Sequence, residues 1–196
     1  MTTIVAVRKD GMAAIAADTL TTFGNQKESA DYFVNCRKIF AYRDNFLATT
    51  GWGTYQIAIE HMLSKSKKKF NFSNVAEIFE SGSIIHRILK DKYFLRTESE
   101  DDDFESSHGS MLIVNPSGIF SLTHHRFPQE LSKFYAFGSG SEYAMGAMRA
   151  VYDDPARSAE DIARCAIEVA AEFDDSTGLP LDCFAIKLKG PSPNRK

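Results

Sequence analysis

The chain has 196 residues, of which 43% are hydrophobic and 25% are charged, and its formal net charge is -3 at pH 7. These values are typical of a soluble globular protein, so we predict a single domain spanning residues 1–196. The negative charge argues against nucleic-acid binding as the main activity. No apolar run approaches the ~18 residues that cross a bilayer, and residues 8–10 end the first apolar run too early for a signal peptide. We therefore expect a cytoplasmic protein that neither spans nor binds a membrane.

The first fifty residues predict two consecutive β-hairpins. Asp10-Gly11 and Arg43-Asp44 are the expected turns, since such pairs lie between two largely apolar runs. Because residues 4–7 are all apolar, the first strand is expected to be buried on both faces. The predicted strands are residues 3–8, 12–17, 35–42 and 45–50.

The rest of the chain alternates helix pairs with strands. Ser73 is the expected N-cap of the second helix, and Ser158 with Asp161 the expected cap of the fourth. Helices are predicted over residues 54–63, 73–95, 142–151 and 159–172, and strands over residues 111–114, 119–123, 134–137 and 183–188. Segregated runs of strands and helices favour an α+β fold in which two stacked antiparallel sheets are each covered by a helix pair.

Several features exclude alternative sites. Three cysteines, Cys36, Cys165 and Cys183, lie far apart without CxxC or Cys/His spacing, so we expect buried thiols and no metal site or disulfide. No phosphate-binding loop of the Gly-x4-Gly-Lys-Ser/Thr type occurs, and no cofactor is implied. The acidic residues 98–105 predict a solvated loop, and the basic residues 65–69 a solvated helix end.

Thr2 is the candidate nucleophile. A small second residue favours removal of Met1, which would leave Thr2 with a free α-amine beside its hydroxyl. A threonine hydroxyl needs a neighbouring base, and the N-terminal amine is a recognised one. That amine titrates near ~8, so a large fraction is already neutral at neutral pH.

Six short segments occur in a specific order and spacing over nearly the whole chain. They are residues 2–5 (TTIV), 15–19 (IAADT), 23–25 (FGN), 37–40 (RKIF), 137–144 (FGSGSEYA) and 174–178 (DDSTG). Together they resemble the β-type subunits of the proteasome, most closely the bacterial HslV protease and its bacterial proteasome homologues. The resemblance implies an N-terminal nucleophile hydrolase with a four-layer αββα sandwich.

The resemblance also implies roles for individual residues. Asp18 and Lys38 match an ion pair beside the nucleophile Thr2, and a nearby ammonium would lower the cost of losing the hydroxyl proton. Ser139, Asp174 and Thr177 match the residues that support the terminal amine. A backbone N–H among Gly51, Trp52 and Gly53 would stabilise the oxyanion. By the same match the expected substrate-binding residues are Thr21, Thr22, Cys36, Phe40 and Thr50.

Three segments depart from HslV. The Gly-Gly segment that HslV has after the fourth strand reads Thr50-Gly51-Trp52-Gly53 here. The chain is longer between Asn25 and Lys38, which implies a longer substrate-lining loop over residues 26–34. The acidic loop at residues 98–105 has no counterpart in HslV.

The leading hypothesis is a self-compartmentalising threonine endopeptidase that cleaves unfolded polypeptides. The resemblance implies stacked rings of twelve or fourteen identical subunits, fed by an AAA+ unfoldase that supplies ATP hydrolysis. Two alternatives remain open: a catalytically silent scaffold subunit of the same fold, and an amidohydrolase that acts on small amides.

Overall fold

The structure, a computed structural model, describes residues 2–24, 26–98 and 103–190. The strands are β1 (Thr3–Lys9), β2 (Met12–Asp18), β3 (Thr21–Phe23), β4 (Gln26–Glu28), β5 (Ile39–Tyr42), β6 (Asn45–Thr49), β7 (Met111–Asn115), β8 (Gly118–Leu122), β9 (Pro128–Leu131), β10 (Phe134–Gly138) and β11 (Leu181–Lys187). The α-helices are α1 (Gly53–Lys65), α2 (Val75–Tyr93), α3 (Ser141–Val151) and α4 (Ala159–Phe173), and a short 3-10 helix covers Ala30–Tyr32.

Two antiparallel sheets form the centre of the fold. Their strand orders are β10-β1-β2-β11 and β5-β6-β7-β8-β9, and β3 and β4 form a separate hairpin. In the first sheet Thr3 lies opposite Gly138, and Ile4 opposite Ala17. The start of β1 therefore meets the ends of β2 and β10, and this edge of the sheet brings distant segments of the chain together.

The two sheets stack, and helices cover both outer faces. Ile4 and Ala6 face the second sheet, where Leu112 and other apolar side chains of β5–β8 meet them. Val5, on the opposite face of β1, packs with the apolar faces of α3 and α4. Helices α1 and α2 cover the second sheet in the same way. This four-layer αββα sandwich confirms the predicted fold, and it explains the unbroken apolar run of β1, which is buried on both faces.

The structure corrects several element boundaries. Helix α2 is capped by Asn74, whose side chain accepts the Glu77 N–H, and not by Ser73. The predicted Ser158–Asp161 capping box of α4 is confirmed. Residues 35–38 precede β5 outside the sheets. Strands β3, β4 and β9 were missed because they are only three or four residues long and largely polar, which leaves no clear alternation.

The structure also tests the expectations for the cysteines, the acidic loop and membrane-spanning helices. The three cysteines are half-buried, so the expectation that they are buried is wrong. Residues 99–102 of the acidic segment and 191–196 of the tail lie outside the described residues. The described residues of this segment, 98 and 103–105, are exposed as expected of a solvated loop, and Glu105 also pairs with Lys90 and His86. None of the helices in the described ranges is long and apolar enough to cross a membrane.

Candidate active site

A pocket of about 740 Å³ opens at the edge where β1 begins and β10 ends. Of the residues predicted from the sequence, it is lined by Thr2, Thr21, Thr22, Cys36, Lys38, Thr50, Gly51, Trp52, Gly53 and Ser139. Three predicted residues do not line the pocket: Asp18, Asp174 and Thr177. Their side chains form hydrogen bonds with residues at this edge of the sheet. Within the described ranges, no group of three or more His, Cys, Asp or Glu side chains is arranged to hold a metal ion.

Asp18 is fully buried and binds residues from four segments of the chain. Its Oδ1 accepts hydrogen bonds from Lys38 Nζ at 2.8 Å and from the Thr3 N–H at 2.9 Å. Its Oδ2 accepts the backbone N–H groups of Leu20 at 3.1 Å and Gly178 at 3.3 Å. One carboxylate oxygen therefore ties the lysine to the residue that follows Thr2.

The Asp18–Lys38 pair is shielded from solvent. Burial raises the pKa of Asp18 and lowers the pKa of Lys38, because removing either charge from water costs free energy; the ion pair at 2.8 Å opposes both shifts. Each hydrogen bond at Asp18 is donated to it, so the ionised carboxylate satisfies them all. Lys38 Nζ also donates to the Leu20 carbonyl at 2.6 Å, which fixes the position of the amine.

The backbone of Thr2 is held by the end of β10. Its carbonyl accepts the Ser139 N–H at 3.1 Å, and Thr2 is only 8% exposed. Gly138 has φ 109°, and a Cβ there would lie 1.7 Å from the Thr2 carbonyl oxygen. Glycine is required here for both the backbone conformation and the close approach of Thr2.

A second carboxylate lies behind the same edge. Asp174 Oδ2 accepts hydrogen bonds from Ser139 Oγ at 2.7 Å and Thr177 Oγ1 at 2.5 Å. Thr177 Oγ1 lies 2.6 Å from Thr3 Oγ1, which also accepts the Gly140 N–H at 2.9 Å. Since the Thr177 hydroxyl donates its proton to the carboxylate, Thr3 donates to Thr177. The network joins Ser139 to the backbone beside Thr2.

The N-terminus of α1 faces the pocket on the other side. Trp52 is the N-cap of α1 and makes no side-chain capping bond, and the Tyr55 N–H donates to the Trp52 carbonyl at 2.8 Å. Gly51 has φ 101°, and a Cβ there would lie 2.6 Å from the His108 carbonyl oxygen. Free N–H groups at a helix N-terminus favour a negative charge, and they are suited to an oxyanion.

The predicted substrate-binding residues fall into two groups. Thr21 and Thr22 lie on β3, and together with Cys36 and Thr50 they line the pocket. Phe40 does not line it and packs with the helix-covered outer face of the second sheet. Its neighbour Ile39 faces the first sheet, and successive side chains of a strand point to opposite sides.

The pocket has further lining residues. Glu28 and Phe33 belong to residues 26–34, the segment expected to line the substrate site, whereas Phe23, Ile57 and His108 are not indicated by the sequence. Ile57 lies on α1 and is 60% exposed. The Phe-Gly-Asn motif at residues 23–25 was the available signal for the hairpin, because its glycine takes a positive φ at the turn between β3 and β4.

Comparison with known proteins gives the family. No protein-family model matches the chain. The solved structure of BPH from Thiobacillus denitrificans is similar with a TM-score of 0.93 and 45% sequence identity, covering 97% of this chain and 100% of that chain. The structure of the same protein in complex with epoxomicin gives a TM-score of 0.91 at 45% identity, covering 96% and 100%.

A more distant structure shares the fold. Eukaryotic HslV from Trypanosoma brucei has a TM-score of 0.73 and 21% identity, covering 95% of this chain and 99% of that chain. The αββα sandwich and the 45% identity over nearly the full length of both chains lead to one conclusion. The chain belongs to the HslV-like, proteasome β-type family, which has the threonine-protease type of N-terminal nucleophile hydrolase fold.

Proposed function

We propose that this chain is a threonine endopeptidase whose nucleophile is Thr2 after removal of Met1. One observation carries the proposal: Asp18 Oδ1 binds both Lys38 Nζ and the Thr3 N–H, at 2.8 and 2.9 Å. Thr3 directly follows Thr2 in the chain. The same oxygen of Asp18 therefore holds the buried Lys38 ammonium and the peptide group that follows the nucleophile. Burying an ion pair costs desolvation free energy, and groups with shifted pKa values cluster at functional sites, which favours an enzyme over a scaffold subunit.

The mechanism uses the terminal amine as the base. As Thr2 Oγ1 forms a bond with the scissile carbonyl carbon, the hydroxyl proton passes to the α-amine. The oxyanion accepts a backbone N–H from Gly51, Trp52 or Gly53, and the Lys38 ammonium stabilises the developing charge. When the C–N bond breaks, the amine returns the proton to the leaving nitrogen. Water then hydrolyses the ester by the same proton route.

Supporting residues keep the amine in place. The Ser139 hydroxyl donates to Asp174, and Thr177 donates to the same oxygen. This arrangement leaves the Ser139 oxygen free to accept a hydrogen bond from the protonated amine of Thr2. We therefore assign supporting roles to Ser139, Asp174 and Thr177.

The proposed substrate is an unfolded polypeptide. A pocket of about 740 Å³ is within the usual size range of binding sites, and the β3–β4 hairpin beside it can pair with an extended peptide through Thr22. We also propose stacked rings of twelve or fourteen copies, an AAA+ unfoldase as the source of ATP hydrolysis, and a cytoplasmic location. The HslV-like relatives support a ring assembly.

Epoxomicin is the first probe to use, because the BPH protein of Thiobacillus denitrificans was solved in complex with it. Intact mass and peptide mapping of the treated protein will show whether Met1 is absent and Thr2 carries the adduct. We expect the Thr2→Ala variant to lose both adduct and peptide cleavage, and Thr2→Ser, which keeps a hydroxyl, to retain both.

The same experiment separates the alternatives. Unchanged hydrolysis in Thr2→Ala would refute the proposed nucleophile. A free Thr2 that forms no adduct and cleaves nothing would favour a silent scaffold subunit. Cleavage of small amides without cleavage of an unfolded protein would favour an amidohydrolase.

A further inference from the structure

A buried histidine lies behind the turn at Gly51, outside the pocket. His86, on α2, is only 7% exposed. Its Nδ1 lies 2.9 Å from Ser107 Oγ and 3.3 Å from an Arg126 guanidinium nitrogen, and its Nε2 lies 3.0 Å from Glu105 Oε2. None of these four residues lines the pocket, and the proposed mechanism uses none of them.

The partners of His86 determine its protonation state. Arginine has donors only, so Nδ1 must be the acceptor and carries no proton. Hydrogen bonds from Lys90 and His86 lower the pKa of Glu105 to about 2, so its carboxylate is ionised and accepts the Nε2–H. His86 is therefore the neutral tautomer protonated on Nε2, and Ser107 donates its hydroxyl proton to Nδ1.

Protonation of His86 would disrupt these contacts. An Nδ1–H would point at the Arg126 guanidinium, so two donors would face each other, and the Ser107 hydroxyl would have to rotate and accept instead of donating. Burial lowers the pKa of His86 below its usual 6.5, and Arg126 and Lys90 add to this effect while Glu105 opposes it. The intact network is thus the form present at neutral pH, and it is lost as the pH falls below about 6.5.

Ser107 belongs to a segment that packs directly against the pocket turn. A Cβ added to Gly109 would lie 2.5 Å from Tyr55 Cε1 and 2.6 Å from the Thr50 carbonyl oxygen. A Cβ added to Gly51 would likewise lie too close to the His108 carbonyl oxygen. There is no space for even a methyl group between residues 108–109 and the turn. A shift of this segment towards the turn must therefore move the turn.

Hydrogen bonds reinforce this contact. The Thr50 N–H donates to the Ser110 carbonyl at 2.8 Å, and the Ser110 N–H donates to Thr50 Oγ1 at 3.1 Å. The Tyr55 side chain, on α1, hydrogen-bonds to Ser107. The segment from Ser107 to Ser110 is thus bonded to α2 through His86, and to α1 and the turn through Tyr55 and Thr50.

We propose that neutral His86 is a positioning residue for the reaction. Through Ser107 and the segment that follows it, His86 fixes the Gly51–Trp52 turn, which lines the pocket. A proton on His86 repels Arg126 and reverses the hydrogen bond with Ser107, and these changes let the turn move. The effect on catalysis rests on the proposed function, whereas the link between His86 and the turn is a property of the fold alone.

Trp52 provides a test that needs no catalytic activity. It is the one tryptophan of the chain, and its side chain is 76% exposed at the turn. We expect its emission to change in a single transition with a midpoint below 6.5 when the pH is lowered from about 8 to about 5. The His86→Gln variant keeps a donor towards Glu105 and does not ionise, so the transition should disappear.

Two further variants make the result specific. His61→Gln removes an exposed histidine of α1 that pairs with Tyr93, and the transition should remain. Ser107→Ala removes the hydrogen bond that links His86 to the segment and should abolish the transition, and it replaces His86→Gln if that variant does not fold. A transition that persists in His86→Gln, or its absence in the natural protein, would overturn the proposed link.

Steady-state kinetics tests the catalytic consequence. The ratio of kcat in the natural protein to kcat in His86→Gln cancels the titration of the Thr2 amine, which is common to both. We expect this ratio to fall at least about tenfold below pH 6.5 with little change in KM, since a displaced oxyanion donor acts on the transition state. A constant ratio with an intact Trp52 transition would refute the positioning role while leaving the link in place. A protein without hydrolysis would refute the proposed function and leave the fluorescence test valid.

Discussion

Replacing Gly138 by alanine should show how closely the end of β10 controls the nucleophile. A Cβ at Gly138 would lie 1.7 Å from the Thr2 carbonyl oxygen, whereas real Cβ contacts are essentially never shorter than 3.0 Å. Thr2 or β10 must therefore move by more than 1 Å. A misplacement of about 1 Å costs up to about 100-fold in rate, and we expect a loss of that size in kcat for peptide hydrolysis.

The same substitution should destabilise the protein. A non-glycine residue at φ 109° costs about 1–3 kcal/mol, and loss of the Ser139 N–H bond to the Thr2 carbonyl adds roughly 1 kcal/mol. The free energy of unfolding should fall by about 2–4 kcal/mol, which lowers Tm by roughly 5–15 °C for a chain of this size. Peptide hydrolysis and thermal unfolding, measured on the same preparation, test both effects.

Gly146 provides a matched control. It lies on the exposed side of α3, and an added Cβ there meets nothing within 4 Å. Gly146→Ala should keep full activity and raise stability by up to about 1 kcal/mol, because alanine favours a helix interior. If Gly138→Ala retained activity within threefold of the natural protein, the argument that Gly138 sets the position of Thr2 would be wrong.

Two further predictions concern stability. Asp18→Asn should lower the free energy of unfolding by about 3–5 kcal/mol in chemical denaturation, because it leaves the Lys38 ammonium buried without its carboxylate. The double variant with Lys38→Met should be less destabilised than Asp18→Asn, and an additive loss would contradict the buried-charge explanation. Ser158→Ala removes the capping box of α4 and should cost about 1 kcal/mol, seen as a Tm lower by roughly 2–4 °C; an unchanged Tm would mean that the cap adds no stability.

Local sequence patterns were sufficient for most of the fold. The helices and the long strands of both sheets carry periodic apolar residues, and Asp10-Gly11 is a short-range turn signal. These patterns act over a few residues, so they can be read from a single sequence. Strands β3, β4 and β9 could not be read, because short polar strands are held by their neighbours and not by their own residues.

For the candidate site, the resemblance supplied Thr2, Asp18, Lys38 and Ser139 as a set. It did not predict that one oxygen of Asp18 accepts hydrogen bonds from both Lys38 and the Thr3 N–H. That arrangement depends on the register of β1 against β2, and on the position of the Lys38 side chain, which extends from the loop before β5. Phe40 shows the limit of such a match. A one-residue step along β5 exchanges the two faces of the sheet, and Phe40 packs away from the pocket.

The fold class, the family resemblance and the candidate residues can therefore be read from the chain alone, because each depends on residue type and local spacing. Which of those residues meet follows from the packed fold. The Gly138–Thr2 contact and the packing of His108 against Gly51 join residues more than fifty positions apart. Such contacts depend on sheet register and layer packing, which are set by the whole core at once and not by any single segment.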